Sequence, residues 1–203
     1  MTRAAGRAGV AGPRIVGVLL AAGRGERFGG EKLAMPLPAG PHAGSAVGVA
    51  ACRNLRAAVD DVVAVVRPGD AALAASLARE GAQVVVAERA REGMGASLAT
   101  GVAAAGTADG YVVALADMPW IAPATIRAIA EALRDGASIA APAFGGRRGH
   151  PVGFAAVHRD ALAALTGDAG ARSILAAHAE SVRIVEVDDA GILRDVDVPD
   201  DLR

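Results

Sequence analysis

The most constraining feature of this chain is an alternation between short aliphatic runs and longer alanine-rich stretches. Runs at 15–20, 61–66 (DVVAVV), 83–87 (QVVVA) and 111–116 (YVVALA) are each followed by a longer segment rich in alanine. Weaker runs lie at 138–141 and 182–187. Strands that are apolar without alternation are buried on both faces, so helices must cover them above and below. The pattern predicts βαβ units, a largely parallel sheet and a three-layer α/β/α sandwich. Helices are predicted over 45–59, 71–80, 96–105 and 123–134, with two more near 158–165 and 171–178. The helix over 123–134 has proline in its first turn and Gly136 just past its end, the usual helix punctuation. Neither an internal repeat nor a linker-like change of composition interrupts the chain. One domain over 14–203 is predicted, preceded by a flexible tail over 1–13.

Composition removes several function classes. A formal net charge of −1 over 203 residues offers no clustered basic surface for nucleic acid. A single cysteine, Cys52, excludes an intramolecular disulfide and a cysteine-based zinc cluster. No apolar run reaches the length of a membrane-spanning helix. The run at 15–22 follows Arg3, Arg7 and Arg14 but leads directly into Arg24, Glu26 and Arg27, which is too short for an export leader. The expected compartment is the cytoplasm, and neither nucleic acid nor membrane is an expected partner.

In a parallel sheet the ligand crevice lies beyond the carboxyl ends of the strands. The first such segment is AAGRGERFGGEKL, 21–33, and it ends in Lys32, the only lysine among 21 basic residues. A dinucleotide loop requires G-x-G-x-x-G, but here the third glycine comes one residue late, at Gly29. The acidic residue such a loop needs near the end of the second strand is replaced by Arg67 and Pro68, which argues against a dehydrogenase. A Walker loop requires Gly-Lys-Ser/Thr, whereas Lys32 lies between Glu31 and Leu33. A glycine loop with Arg24 and Arg27, closed by a lysine, fits a cradle for a nucleoside triphosphate. The alternative is a solvated turn.

Three other segments follow strands. Asp117, in YVVALADMPWI, sits where a hydrophobic run ends, well placed to hold Mg²⁺ through a hard oxygen ligand. REGMGASLATG, 91–101, brings Gly93, Gly95 and Ser97 to a helix start, whose amides suit an anion or a base edge. Ser97 reads equally well as an ordinary helix cap. GGRRGHPVGF, 145–154, is a polar loop entering an apolar strand, in which Arg147, Arg148 and His150 are candidates for a second anionic substrate. Asp168 and Arg172 in TGDAGARSIL are functional or capping. In LRDVDVPDDL, Asp195 or Asp197 offers a second metal carboxylate, the alternative being a solvated acidic surface.

Taken in order, LAAGRGERFGGEKL, GMGASL, LADMP, GHPVGF, GDAGAR and DVDVPDDL resemble the MobA-like nucleotidyltransferases. Within them the similarity is to the molybdenum cofactor cytidylyltransferase branch. The resemblance implies a Rossmann-like, mostly parallel sheet of the nucleotide-diphospho-sugar transferase type and Mg²⁺-dependent transfer of CMP from CTP to molybdopterin cofactor, with release of pyrophosphate. It places Ala21, Ala22, Gly23, Arg24 and Gly25 on the triphosphate together with Lys32. Gly93, Gly95 and Ser97 fall near the base, with Arg67 also nucleotide-binding, and Asp117 falls on the metal with Asp197. Lys32, Arg27 and Asp117 are the catalytic set, and Arg147, Arg148 and His150 serve the acceptor. A molybdoenzyme or its chaperone is an implied partner. Nucleotidyl transfer needs positioning and charge neutralisation more than covalent participation, so the absence of an evident nucleophile agrees with this reading. The alternatives are guanylyl transfer from GTP to molybdopterin or another phosphorylated acceptor, and a non-catalytic nucleotide- or cofactor-binding protein.

Overall fold

The computed structural model describes residues 12–23, 28 and 31–202. Arg24, Gly25, Arg27 and nearly all of the tail over 1–13 lie outside the described residues. Among the described residues, eight strands form one sheet: β1 (Ile15–Ala21), β2 (Asp61–Val66), β3 (Gln83–Val86), β4 (Gly110–Leu115), β5 (Ile139–Phe144), β6 (Arg147–Arg148), β7 (Val152–Ala155) and β8 (Val182–Glu186). The helices are α1 (Val47–Arg56), α2 (Ala71–Arg79), α3 (Met94–Ala105), α4 (Pro123–Arg134), α5 (Arg159–Ala163) and α6 (Arg172–Ala177). Strand order is β3-β2-β1-β4-β7-β5-β6, with β8 pairing β5.

β1, β2 and β4 are buried almost throughout, as their unbroken aliphatic sequence requires. One buried cluster joins Leu19, Leu55, Val112 and Ile129 on the face covered by α1 and α4. A second joins Val18, Leu98, Tyr111 and Phe154 on the face covered by α3. The three layers predicted from the alternation are therefore present, with the core divided between the two sides of the sheet.

One expectation is corrected. QVVVA is not covered on both faces. β3 is an edge strand with Gln83 and Val86 exposed, and only Ala87 beyond it is fully buried. The sheet is mostly parallel, as the alternation predicts, with one antiparallel insertion. β1 pairs β2 and β4 in parallel, but β7 inserts antiparallel between β4 and β5. β7 is the apolar strand that GHPVGF enters, and a short strand of this kind carries no periodic signal of its direction.

α4 begins without a capping side chain of its own, because its N-cap is Ala122. Asp189, distant in sequence, supplies the missing acceptor. Its Oδ2 accepts from the Ala122 amide at 2.9 Å and from the Thr125 hydroxyl at 2.6 Å, and Oδ1 accepts from the Gly191 amide at 3.0 Å. Replacing Asp189 by Ala strands a helix amide and the hydroxyl of the buried Thr125. We expect a loss of about 1–3 kcal/mol in urea denaturation, and a change below about 0.5 kcal/mol would contradict the assignment.

Candidate active site

β1 and β4 are neighbours and run parallel, so the segments that follow them emerge at the same edge of the sheet. After β1 the chain reaches a 3-10 helix, Lys32–Ala34. After β4 it turns at Asp117. The Lys32 Nζ donates to Asp117 Oδ2 at 2.7 Å across 85 residues of sequence. It also donates to the Val196 carbonyl at 2.8 Å and approaches Asp197 Oδ1 at 3.5 Å. The lysine side chain is only 11% exposed, so this ammonium is held and not merely solvated.

The C-terminal segment is fixed by Val196. Its side chain is fully buried in a small cluster with Leu37, Val47 and Ala50, packed by Leu33 and Trp120. Its amide donates to the Asp117 carbonyl at 2.9 Å. Extended backbone alternates its side chains, so burying Val196 turns Asp195 and Asp197 together toward Asp117. Ligand oxygens of Asp117, Asp195 and Asp197 lie within 4.8 Å of one another. Partial desolvation of the otherwise exposed Asp195, then the charges of Asp197 and Asp117, push its carboxyl above its ordinary value, with Lys32 opposing. Of the acidic run, Asp201 has a different task. Its Oδ2 accepts from the amides of Asp197 and Val198 at 2.7 and 2.8 Å, and these bonds lower its pKa.

A cleft of about 460 Å³ opens onto this cluster, lined by Ala22, Gly23, Lys32, Arg91, Gly93, Ser97, Asp117 and Asp168 among others. Ala22, Ala90 and Arg91 also line an adjoining cavity that reaches Arg67 and Pro68. Lys32, Asp117, Gly23, Ala22, Gly93 and Ser97 are thus brought to one groove, and Arg67 lines the cavities beside it. The Arg67 Nε donates to Asp70 Oδ2 at 2.8 Å. Ala21, the last residue of β1, is fully buried in the core.

Three placements differ from the sequence reading. Gly95 does not present its amide to an anion, because that amide donates to the Gly167 carbonyl at 2.8 Å. A Cβ on Gly95 would lie 2.6 Å from the Thr166 carbonyl oxygen, and one on Gly93 would collide with Asp168 and Gly167. These glycines allow the 166–168 segment to lie against the start of α3. Ser97 does not cap the helix with its side chain; its hydroxyl points back to the Gly93 carbonyl at 3.4 Å. Arg147 and Arg148 are successive residues of β6, so they project to opposite sides and do not clamp one anion together. Arg148 lines a second cavity, of about 290 Å³, with His150, Asp168, Arg172 and an apolar floor that includes Leu98, Val113 and Phe154. Leu20, Met94, Leu115 and Asp168 line both this cavity and the larger cleft.

The sequence leaves Asp195 and Asp197 as alternatives, and the fold brings both to Asp117. Arg91, a cleft residue that no motif singles out, stands two residues before Gly93 in the turn after β3. Position after a strand is the one local signal that points to it.

His150 is positioned from two sides. Its amide donates to the Ile192 carbonyl at 3.0 Å, and Gly149 before it leaves no room for a Cβ against that same carbonyl. The ring Nδ1 is buried and finds no hydrogen-bond partner among the described residues. Burial is the main cause that lowers its pKa; Arg148 and Arg172 add to this and Asp117 opposes it. Below its ordinary value of 6.5, the unfolded chain takes up a proton at this site more readily than the folded chain. Stability should therefore fall as pH drops through 6.5 and level off below the folded value. In urea titrations from about pH 7.5 to 5, His150→Gln should lose less stability than the parent. His158, also lowered by burial, retains its share of the slope in both proteins. Equal losses in the two would contradict the placement of His150.

Residues 17–182 match the model of the MobA-like NTP transferase domain. The chain belongs to the MobA-like NTP transferase family, and its domain is that of a nucleotidyltransferase. It is 34% identical over 194 residues to a protein of Paenarthrobacter nicotinovorans named nicotine blue oxidoreductase, covering 91% of this chain and 93% of that one. Among solved structures, Rv0371c of Mycobacterium tuberculosis H37Rv is 32% identical with a TM-score of 0.80, covering 94% of this chain and 96% of that one. A manganese complex of Rv0371c also matches, at 30% identity and a TM-score of 0.75, covering 93% of this chain and 95% of that one. A nucleotidyl transferase from Methanothermobacter is 30% identical with a TM-score of 0.76, covering 93% and 94% of the two chains. Among the described residues no helix is long and apolar enough to cross a membrane.

Proposed function

We propose that residues 14–203 act as one cytoplasmic nucleotidyltransferase domain that transfers CMP from CTP to the terminal phosphate of molybdopterin cofactor. The observation that carries this reading is the meeting of Lys32 with Asp117 at 2.7 Å, beside two more carboxylates at the mouth of a groove. Three hard oxygen donors so close together fit a small divalent cation such as Mg²⁺ and do not suit soft metals. The manganese complex of Rv0371c agrees with a divalent ion in this family. Asp117 and Asp197 would hold the ion, with Asp195 as a third ligand. When bound, it would neutralise phosphate oxygens as a Lewis acid.

The residues of the chain supply the rest. Lys32, with Arg27, binds the triphosphate and stabilises charge on the departing pyrophosphate. Ala21, Ala22, Gly23, Arg24 and Gly25 are assigned to the phosphates, while Gly93, Ser97 and Arg67 are assigned to the nucleoside end. Arg148 and His150 orient the acceptor in the adjoining cavity, and Arg172 adds a second cation there. An acceptor phosphate oxygen attacks the α-phosphorus of CTP, the bond from that phosphorus to the bridging oxygen breaks, and pyrophosphate leaves. A molybdoenzyme or its chaperone is the proposed recipient of the product.

The relative named an oxidoreductase raises a hydride-transfer reading. Against it stand the mis-spaced glycines, Arg67 and Pro68 at the end of β2 where a dinucleotide loop needs an acidic residue, and the carboxylate cluster, which has no role in that chemistry. Incubation with each of the four NTPs, Mg²⁺ and molybdopterin cofactor, following pyrophosphate and NAD(P)H oxidation in parallel, separates these. CTP- and acceptor-dependent pyrophosphate release is expected. GTP-only turnover, or no pyrophosphate with any pairing, would overturn the proposal.

A further inference from the structure

The Lys32 ammonium already fills the place that a cation would take. Its three protons face Asp117 Oδ2 at 2.7 Å, the Val196 carbonyl at 2.8 Å and Asp197 Oδ1 at 3.5 Å. These are two of the three clustered carboxylates and the backbone between Asp195 and Asp197. A divalent ion drawn to the same oxygens would meet this charge a few ångströms away, beside a lysine side chain that is only 11% exposed, where like charges repel. The cluster and its counterion are in this sense self-satisfied.

We infer that Lys32 is an internal stand-in for the divalent cation: it holds the carboxylates together in the unliganded protein and leaves them only when a triphosphate offers it a second anionic partner. The inference rests on the reading of Asp117, Asp195 and Asp197 as the metal ligands, and adds an order to it. The cation alone binds weakly because it must displace a paired ammonium. The metal-free triphosphate also binds weakly, because Lys32 stays committed to the carboxylates. Together each removes the cost the other faces, and the coupling is reciprocal.

The same role gives a reason for the only lysine in the chain to stand here among arginines. An ammonium is a compact point charge that exchanges one anion for another. A guanidinium would engage a carboxylate through two parallel bonds and resist release.

The test is Mn²⁺ binding without nucleotide, followed by electron paramagnetic resonance of the free ion. Lys32→Met should bind Mn²⁺ about tenfold or more tightly than the parent, with Lys32→Gln as the second variant should the first fail to fold by circular dichroism. Lys32→Arg, which keeps the charge, should bind Mn²⁺ as weakly as the parent. Adding a non-hydrolysable CTP analogue should tighten Mn²⁺ binding to the parent and close the gap. If the neutral variants bind Mn²⁺ no better than the parent while Asp117→Asn abolishes binding, the stand-in role is wrong and the metal site stands. If Asp117→Asn leaves Mn²⁺ binding intact in every background, the stand-in role and the metal site fail together.

Discussion

Replacing Asp117 by Asn should lower kcat/KM for pyrophosphate release by on the order of 10³-fold. Asp117 is the member of the acidic cluster that both follows a buried central strand and touches Lys32. An amide in its place keeps the shape but removes the charge on which both metal affinity and the position of Lys32 depend. The loss should fall mainly on turnover, since Lys32 and the glycine segment still reach the triphosphate. Stability should fall by about 1–2 kcal/mol, because Lys32 keeps the Val196 carbonyl and Asp197 as partners. Steady-state kinetics at saturating Mg²⁺, with urea denaturation alongside, check both parts. A decrease below about tenfold would remove Asp117 from the reacting centre.

Gly93→Ala should destabilise the protein by about 3 kcal/mol. Gly93 has φ of +122°, in the region that favours glycine. A Cβ there would also press on Asp168 and lie 2.5 Å from the Gly167 carbonyl carbon and oxygen. Backbone cannot yield as a flexible side chain can, so either the 166–168 segment moves away or α3 starts differently. Asp168 and Gly93 both line the larger cleft, so KM for the nucleotide should rise as well. Gly106→Ala is the informative control. Gly106 also has positive φ, at +66°, but a Cβ added there would meet nothing within 4 Å. Its cost is therefore one of conformation alone, about 1 kcal/mol. Equal losses for the two variants, measured by urea denaturation, would show that the contact with 166–168 is immaterial.

The parts of this fold that can be read from sequence are those whose burial is complete. β2 and α4 have the predicted bounds, and β1 and β4 differ by a residue at their ends, because continuous aliphatic character and clear helix punctuation leave little choice. β3 reads the same way yet lies at the sheet edge, since hydrophobicity reports capacity for burial and not strand order. The antiparallel insertion of β7 is invisible for the same reason.

The candidate site divides along similar lines. Lys32 and Asp117 stand out singly, one by its rarity and one by ending a hydrophobic strand. Their contact follows only from β1 and β4 being neighbours. Asp195 and Asp197 are lost in an acidic run until Val196 is seen to be buried between them. Gly93 and Gly95 suggest an anion-binding turn, but the segment that presses on them lies some 70 residues away, beyond the reach of local pattern.

The most direct measurement is an anomalous-diffraction map of crystals soaked with Mn²⁺ and a non-hydrolysable CTP analogue. A single manganese peak is expected within ligand distance of Asp117 and Asp197 and of an α-phosphate oxygen, with the Lys32 ammonium moved onto the polyphosphate. A manganese peak away from these carboxylates, or a nucleotide whose phosphates do not reach Lys32, would contradict the account.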